Sequence, residues 1–141
     1  MSSTMAQTEI ETFLAAQRHA VVATNTKDGP PQISPVWYIY EDGRFYISAG
    51  VNTAKVHNLR RNLRISLCVD GGYTDYRTVI VYGTAELIPS ADWLQDSMRW
   101  RIIQRYHETE AEAQRYYKSV RDHESALIVV TPDKVITQDF N

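Results

Sequence analysis

The sequence predicts one mainly β domain of the α+β class, in which six antiparallel strands form a small barrel that carries helices. Three observations predict this. Short β-rich segments recur at even spacing with turn residues between them, which is typical of a closed or nearly closed antiparallel barrel. Capping signals mark several helices between and beside the strands. The length of 141 residues, with 43% hydrophobic residues, suits a single folded domain spanning 1–141.

The strands are justified by their composition and by the turns that separate them. The turn 27–31 contains Asp-Gly and Pro-Pro pairs, and 41–43 reads Glu-Asp-Gly, which predicts a hairpin. Gly71 and Gly72 separate a further strand pair, and Pro132 is a point at which the last strand can bend. The six predicted strands are 19–26, 32–40, 44–50, 64–70, 77–88 and 126–138.

Capping residues predict where the helices begin. Thr8 with Glu11, and Thr109 with Glu112, match the S/T-x-x-E capping box. Ser90 can cap a long helix over 91–107.

The long helix has two distinct sets of apolar residues. Its stripe, which can pack on the barrel, consists of Leu94, Met98, Ile102 and Tyr106. Trp93 and Trp100 lie on a different side. They are either partly covered aromatics or part of a surface buried against another subunit, and the enrichment of Trp in interfaces favours the second interpretation.

Residues 51–69 concentrate positive charge in a chain that is acidic overall, with 15 Lys+Arg against 17 Asp+Glu. Thr53 is a predicted N-cap of a short helix, so Lys55 lies in its first turn. A cation there opposes the helix dipole by about a few tenths of a kcal/mol, a conflict that bound phosphate would remove. A solvated surface lysine is the simpler alternative. The segment has no acidic residue and four cationic ones, Lys55, Arg60, Arg61 and Arg64.

Five motifs follow one another in a distinctive order: ATNTKDGPPQISPVWY, FYISAG, TAKVHNLRRN, RISLCV and YGTAEL. This order resembles that of the pyridoxamine 5'-phosphate oxidase-like split-barrel flavoproteins, from about residue 8 to residue 137. The chain is most similar to their short branch that depends on the deazaflavin coenzyme F-420. The resemblance implies a six-stranded split β-barrel, the FMN-binding split barrel, which forms a homodimer with two cofactors bound between the subunits.

The resemblance also implies which residues bind the cofactor. The ring would lie along the strand formed by Pro35, Val36, Trp37 and Tyr38, and the main chain of Ser48 and Ala49 would hold its edge. The phosphate-binding lysine falls on Lys55, with Thr53, Asn58 and Arg61 as its neighbours. Relatives often carry an arginine at the position of Thr53, so the grip on phosphate is expected to be weaker or shared with Arg60. Many relatives read N-P-R at 62–64, where this chain has Asn-Leu-Arg, which should only loosen the turn.

The implied activity is an oxidoreductase that passes hydride from reduced F-420 to an electron-poor small molecule of quinone, enone or tetrapyrrole type. No catalytic side chain is predicted, because the cofactor carries the hydride chemistry. F-420 and FMN share a phosphate and a tricyclic ring; the acidic tail of F-420 could meet Arg60, Arg61 and Arg64, which favours F-420 over FMN. The other alternative is a non-catalytic module that binds flavin or haem.

Other chemistry has little support in the sequence. The motifs of Rossmann sites, P-loops, serine-hydrolase elbows and zincins do not occur. The one cysteine, Cys68, excludes an intrachain disulfide and a multi-cysteine zinc site, and is predicted to be buried and inert. No metal site is predicted, and the histidines are interpreted as surface or packing residues: His19, His57, His107 and His123.

The net charge of -2 argues against nucleic-acid binding. No apolar run approaches the length of a membrane span, and no basic region followed by an apolar one opens the sequence. We therefore expect a cytoplasmic protein without membrane association.

Overall fold

The structure is a computed structural model and describes residues 4–16 and 18–141. In these ranges seven strands and four helices follow one another: α1 (Gln7–Ala15), β1 (Ala20–Thr24), β2 (Gln32–Val36), β3 (Ile39–Glu41), β4 (Arg44–Gly50), α2 (Ala54–Arg61), β5 (Arg64–Asp70), β6 (Arg77–Ile88), α3 (Trp93–Arg105), α4 (Glu110–Val120) and β7 (Ser125–Asp139).

The seven strands form one antiparallel sheet with the order β2-β1-β5-β6-β7-β4-β3. β2 and β3 are consecutive in the chain, yet they lie at opposite ends of this sheet. The sheet must therefore curl until its two ends meet at Trp37 and Tyr38, which gives a split barrel of the α+β class. Its interior is filled by alternate residues of the strands and closed by Phe13 and Leu14 of α1, both 1% exposed.

The prediction of six strands is wrong by one, because segment 32–40 forms two strands instead of one. The backbone of Tyr38 leaves the sheet ladder and bonds to the side chains of the last residue of α3 and of its C-cap residue. Its N–H donates to the hydroxyl of Tyr106 over 3.2 Å, and its carbonyl accepts from Arg105. The residues before this point pair with β1, and those after it pair with β4.

The predicted hairpin at 41–43, the strand pair around Gly71 and Gly72, and the irregularity at Pro132 are all present in the structure. Asp42 and Gly43 have φ of 52° and 77°, the left-handed pair that a two-residue hairpin between β3 and β4 requires. β5 and β6 pair across the segment that contains Gly71 and Gly72. The ladder between β6 and β7 shifts register opposite Pro132, the predicted point of irregularity.

Two of the predicted helix caps are wrong, and one is confirmed. α1 has Ala6 as its N-cap, without a side-chain cap, so Thr8 lies inside the helix. α3 is capped by Asp92 and not by Ser90, because residues 89–92 form a turn that brings the Asp92 carboxylate to the N–H of Leu94, 2.8 Å away. The Thr109 hydroxyl accepts from the third N–H beyond it, as predicted.

Helix α3 packs with two faces. The predicted stripe is confirmed: Met98 and Ile102 are buried, and Leu94 and Tyr106 pack beside them. The helix also buries Gln95, Arg99 and Ile103, because α4 folds back along it. Trp93 is 79% exposed.

Cys68 is half-buried, so the prediction of a buried thiol is wrong. Its neighbours Leu67 and Val69 point into the barrel, which directs Cys68 to the outer face of β5. Burial, and next the charge of Asp70, raise the pKa of its thiol.

No helix in the described ranges is both long and apolar enough to cross a membrane.

Asp75 joins α1, the connection between β5 and β6, and the C-terminal segment. Its carboxylate accepts from Arg77 at 2.8 Å, from Arg18 at 3.1 Å and from Asn141 at 3.3 Å. Both guanidinium groups lie over the ring of Phe13. The hydrogen bonds from Arg77 hold the pKa of Asp75 well below its usual range, although partial burial opposes them.

We expect Asp75→Asn to lower the free energy of unfolding at pH 7 by about 1–3 kcal/mol. Because the folded-state pKa is depressed, this contribution is complete above the unfolded pKa near 4, and is lost as pH falls towards the folded value. Chemical denaturation between pH 2 and 7 measures both effects. The control is Glu41→Gln, which removes an exposed ion pair with Arg101 and should cost less than about 1 kcal/mol. Equal losses for both variants would contradict this prediction.

Candidate functional site

A cleft of about 430 Å³ lies between the sheet and the α3–α4 pair. One wall is the end of β2, a second is the end of β4, and the helices face both. The lining residues are His19, Pro35, Val36, Trp37, Ser48, Ala49, Gly50, Lys55, Arg99, Ile102, Ile103, Tyr116, Val120, His123 and Ser125.

The cleft brings together six of the eleven cofactor-binding residues that the sequence implied: Pro35, Val36, Trp37, Ser48, Ala49 and Lys55. Ser48 and Ala49 lie near Lys55 because β4 continues directly into the loop that leads to α2. The other five do not line the cleft: Tyr38, Thr53, Asn58, Arg60 and Arg61.

Tyr38 lies inside the barrel, 0% exposed. Its hydroxyl donates to the carbonyl of Leu14 over 2.9 Å, and the guanidinium of Arg105 covers its ring. Burial raises the pKa of this phenol. The side chain therefore supports the wall from behind, while its neighbour Trp37 faces the cleft.

Trp37 is fixed on several sides. Its indole stacks on Tyr106 with 4.9 Å between centroids and 6° between planes, and it meets His107 edge to face. Its Nε1–H donates to Nε2 of His19 over 3.2 Å, and Tyr116 tilts against it. The indole is thus a rigid aromatic side of the cleft, prepared before any ligand arrives.

Lys55 lies in the first turn of α2, as predicted, and faces the cleft. It is half-buried, it has no hydrogen bond or ion pair within the described chain, and burial lowers the pKa of its ammonium. Thr53 is the N-cap residue, but its hydroxyl donates backwards to the Gly50 carbonyl over 2.7 Å and does not cap the helix. The first-turn N–H groups beyond it, at residues 54–56, find no acceptor in the part of the chain that is described. An anion is the partner that this arrangement lacks.

The remaining residues of the basic segment hold α2 in place or lie apart from the cleft. Asn58 donates to the Thr24 hydroxyl over 3.1 Å, and Arg61 donates to Asn58 over 2.8 Å, which ties α2 to β1. Arg60 is exposed. Arg64 follows the far end of this helix, about 12 Å from its start, and lines a separate depression.

The charge of the cleft is one-sided. Two cations line it, Lys55 and Arg99, and no Asp or Glu of the described residues does so. The described residues also contain no group of three or more His, Cys, Asp or Glu side chains that could hold a metal ion. The cleft therefore favours an anionic organic ligand.

Sequence reasoning missed the helical side of the cleft. This side is formed by residues of α3, α4, the connection after α4 and the start of β7: Arg99, Tyr116, Val120, His123 and Ser125. The one usable signal was Arg99, a charged residue directly beside the apolar stripe of α3. The sequence showed the helices, but not how they turn towards the sheet.

A family model described as pyridoxamine 5'-phosphate oxidase matches residues 6–139 of the chain. Solved structures share the fold. A conserved hypothetical protein from Mycobacterium tuberculosis is 23% identical with a TM-score of 0.79, covering 96% of this chain and 85% of its own. A FAD-binding protein from Mesorhizobium loti is 22% identical with a TM-score of 0.73, covering 100% and 99%. An F420 reductase is 21% identical with a TM-score of 0.70, covering 89% and 94%. Identities this low show a common fold alone.

Proposed function

Because the chain belongs to the pyridoxamine 5'-phosphate oxidase family, we propose that it is an oxidoreductase that binds coenzyme F-420 in the cleft. Reduced F-420 would pass hydride to an electron-poor small molecule of quinone, enone or tetrapyrrole type. The observation that carries the proposal is the cleft itself, where a rigid aromatic wall faces an unpaired lysine at an open helix N-terminus.

The residues present fit a cofactor with a phosphate and a flat ring system. A volume of about 430 Å³ lies in the range of roughly 300–1,000 Å³ for small-molecule sites. Pro35, Val36 and Trp37 offer apolar surface for a ring. Lys55 and the neighbouring N–H groups would take the phosphate, while Ala49 has too small a side chain to cover the main chain beside it.

The cofactor supplies the hydride, and the chain supplies position and a dry environment. Ile102, Ile103 and Val120 line the side of the cleft that faces β2 and β4, and limit the water near a bound ring. Trp37 cannot rotate without losing its contacts with Tyr106 and His19. Because no described Asp or Glu lines the cleft, the proton that completes the reduction would come from solvent or from a hydroxyl such as that of Ser125.

Titration with F-420 and with FMN tests the proposal. We expect purified protein to be colourless and to quench F-420 fluorescence saturably. If the purified protein is yellow and releases FMN on denaturation, the cofactor is FMN, the alternative, and not F-420. Failure to bind either cofactor would refute the proposal. The F420 reductase of the same fold supports the first cofactor, and the FAD-binding protein supports a flavin.

A non-catalytic module for flavin or haem is the second candidate. His19 and His123 line the cleft, and imidazole is a common ligand of haem iron. Steady-state oxidation of reduced F-420 by quinones and enones separates the two candidates. Turnover supports the enzyme, whereas a haem absorption band that forms on titration with haemin, without turnover, supports the module.

We also propose a homodimer with the cofactor at the interface, and expect light scattering at micromolar concentration to give the mass of two chains. Ile33 and Tyr82, 65% and 48% exposed, lie on one row across the outer face of β2, β1, β5 and β6. Ile33→Asp should yield monomers with weakened cofactor binding, because it charges this face. Tyr73→Asp, which changes an exposed turn residue, is the control. A monomeric wild type would contradict the proposal.

A further inference from the structure

We propose that Arg99 binds a carboxylate of the molecule that is reduced in the cleft, so that the substrate is an electron-poor organic acid. This inference rests on the proposed function for the role of that molecule as acceptor. The anion site itself follows from contacts within the described chain.

Arg99 is a buried cation that forms no ion pair among the described residues. Its side chain is 7% exposed and lines the cleft from α3. Nη2 donates to the carbonyl of Val120, and no carboxylate of the described chain lies within ion-pair distance. The contrast with Arg18, Arg77 and Arg101 is clear, since each of these has a carboxylate partner. A buried guanidinium that keeps its charge calls for an anion.

The rest of the guanidinium is available to a ligand. Nε and Nη1 of Arg99 donate to no group of the described chain. Neither of these atoms is among the fully buried polar atoms that lack a hydrogen bond, so both remain accessible. The carbonyl of Val120 takes one hydrogen of Nη2, so the second hydrogen stays parallel to an N–H of Nε or of Nη1, and such a pair matches the two oxygens of a carboxylate.

Gln95 adds a second and independent observation. It lies one turn before Arg99 on α3, is 2% exposed, and its Nε2 has no hydrogen-bond partner among residues 4–16 and 18–141. Both residues line a side pocket of about 250 Å³, which shares Arg99, His123 and Ser125 with the main cleft. Buried amide donors are nearly always satisfied in folded proteins, so this one, which a rotation of its side chain would bring into the side pocket, indicates an acceptor that the described residues do not supply.

The charges around the side pocket favour a carboxylate over a phosphate. Its exposed rim carries three carboxylates and one cation, so that the rim is acidic on balance: Asp96, Asp122, Glu124 and Arg121. None of these three carboxylates forms an ion pair with Arg99; Asp96 accepts from Tyr117, and Glu124 accepts from Ser90. These rim charges would repel a dianion more strongly than a single negative charge. In the proposed function the phosphate is held by Lys55, which is a separate cation of the cleft lining.

Two matched probes test the site without cofactor. 4-Nitrobenzoate and its neutral amide, 4-nitrobenzamide, have nearly the same size, and a nitroaromatic bound beside Trp37 should quench tryptophan fluorescence. We expect wild type to bind the acid at least tenfold more tightly than the amide. Arg99→Met should remove this preference, and Arg101→Met, an exposed arginine on the same helix, should keep it. An equal or absent response to the two probes in wild type, or a preference that survives in Arg99→Met, would overturn the proposal.

Two further variants separate the possible sources of the effect. Gln95→Glu places a carboxylate one turn from Arg99, where it can pair with the guanidinium, so this variant should lose the preference even if Arg99→Met does not fold. Lys55→Met should retain the preference for the acid. If Lys55→Met loses this preference while Arg99→Met keeps it, the carboxylate binds to Lys55 and not to Arg99.

The acidic tail of F-420 is the other source of a carboxylate. If Arg99 binds the substrate, the Kd for F-420 in Arg99→Met stays within about twofold of the wild-type value. A tenfold weaker binding of F-420 would show that Arg99 binds the cofactor tail, and would overturn the substrate role. The wild-type titration with F-420 decides the proposed function separately, because the probe measurements contain no cofactor.

Discussion

Lys55→Ala is expected to weaken the binding of F-420, or of FMN, about tenfold to a hundredfold. This corresponds to about 1.5–3 kcal/mol, the range for a hydrogen bond to a charged group. The ammonium is half-buried and unpaired beside open N–H groups, so a bound phosphate would gain its full interaction. Folding should be unaffected or slightly favoured, because the change removes a desolvated cation from the positive end of α2.

Arg64→Ala is the matched control for Lys55→Ala. It removes the same charge beyond the far end of α2, at the first residue of β5 and away from the cleft, and should change the Kd by less than about threefold. Fluorescence titration gives the Kd of each variant, and thermal melting without ligand gives its stability. If Lys55→Ala binds both cofactors as wild type does, Lys55 is a surface lysine and the phosphate site lies elsewhere.

Arg105→Met is expected to lower the free energy of unfolding by about 2–4 kcal/mol, the largest stability effect among the variants considered. Arg105 donates to the carbonyls of Leu14 and Ala16 at the end of α1, and to the carbonyl of Tyr38 at the break between β2 and β3. Its guanidinium also lies over the rings of Tyr38 and Tyr106. Methionine keeps much of the volume but leaves these carbonyls without their charged donor.

Arg101→Met serves as the control on the same helix. Its ion pair with Glu41 is exposed, so the loss should stay below about 1 kcal/mol. Urea denaturation of both variants measures the difference. Equal losses would show that Arg105 does not hold the barrel closed.

The sequence predicts well where a single local signal decides the structure. Asp42 and Gly43 predicted a hairpin because few residues other than Gly, Asn and Asp adopt positive φ easily, and the structure has that hairpin. The spacing of Met98 and Ile102 is a second local signal. Helix geometry places residues four positions apart on one face, and this predicted the buried stripe of α3. Thr109 is likewise a local cap.

The errors occur where distant residues decide. Segment 32–40 has continuous strand composition, and only bonds from Tyr106 and Arg105, about 70 positions later, divide it at Tyr38. The resemblance placed Tyr38 at the ring together with Trp37, but the Tyr38 side chain turns into the barrel, where its hydroxyl donates to the carbonyl of Leu14 and Arg105 lies over its ring. Arg99 was missed because its role depends on how α3 and α4 turn towards β2 and β4, which no local pattern in the sequence encodes.

The position of β7 in the sheet has a consequence for how the barrel folds. β7 is the last strand in chain order, yet it lies between β6 and β4. During synthesis from the N-terminus, the first six strands can pair only as two separate groups, β2-β1-β5-β6 and β4-β3. The two groups share the continuous segment 32–41, but no hydrogen-bonded strand joins their other edges until residues 125–139 arrive. Folding on the ribosome must therefore wait for these residues, and the exposed edges of β6 and β4 are the surfaces that a chaperone would need to protect until then.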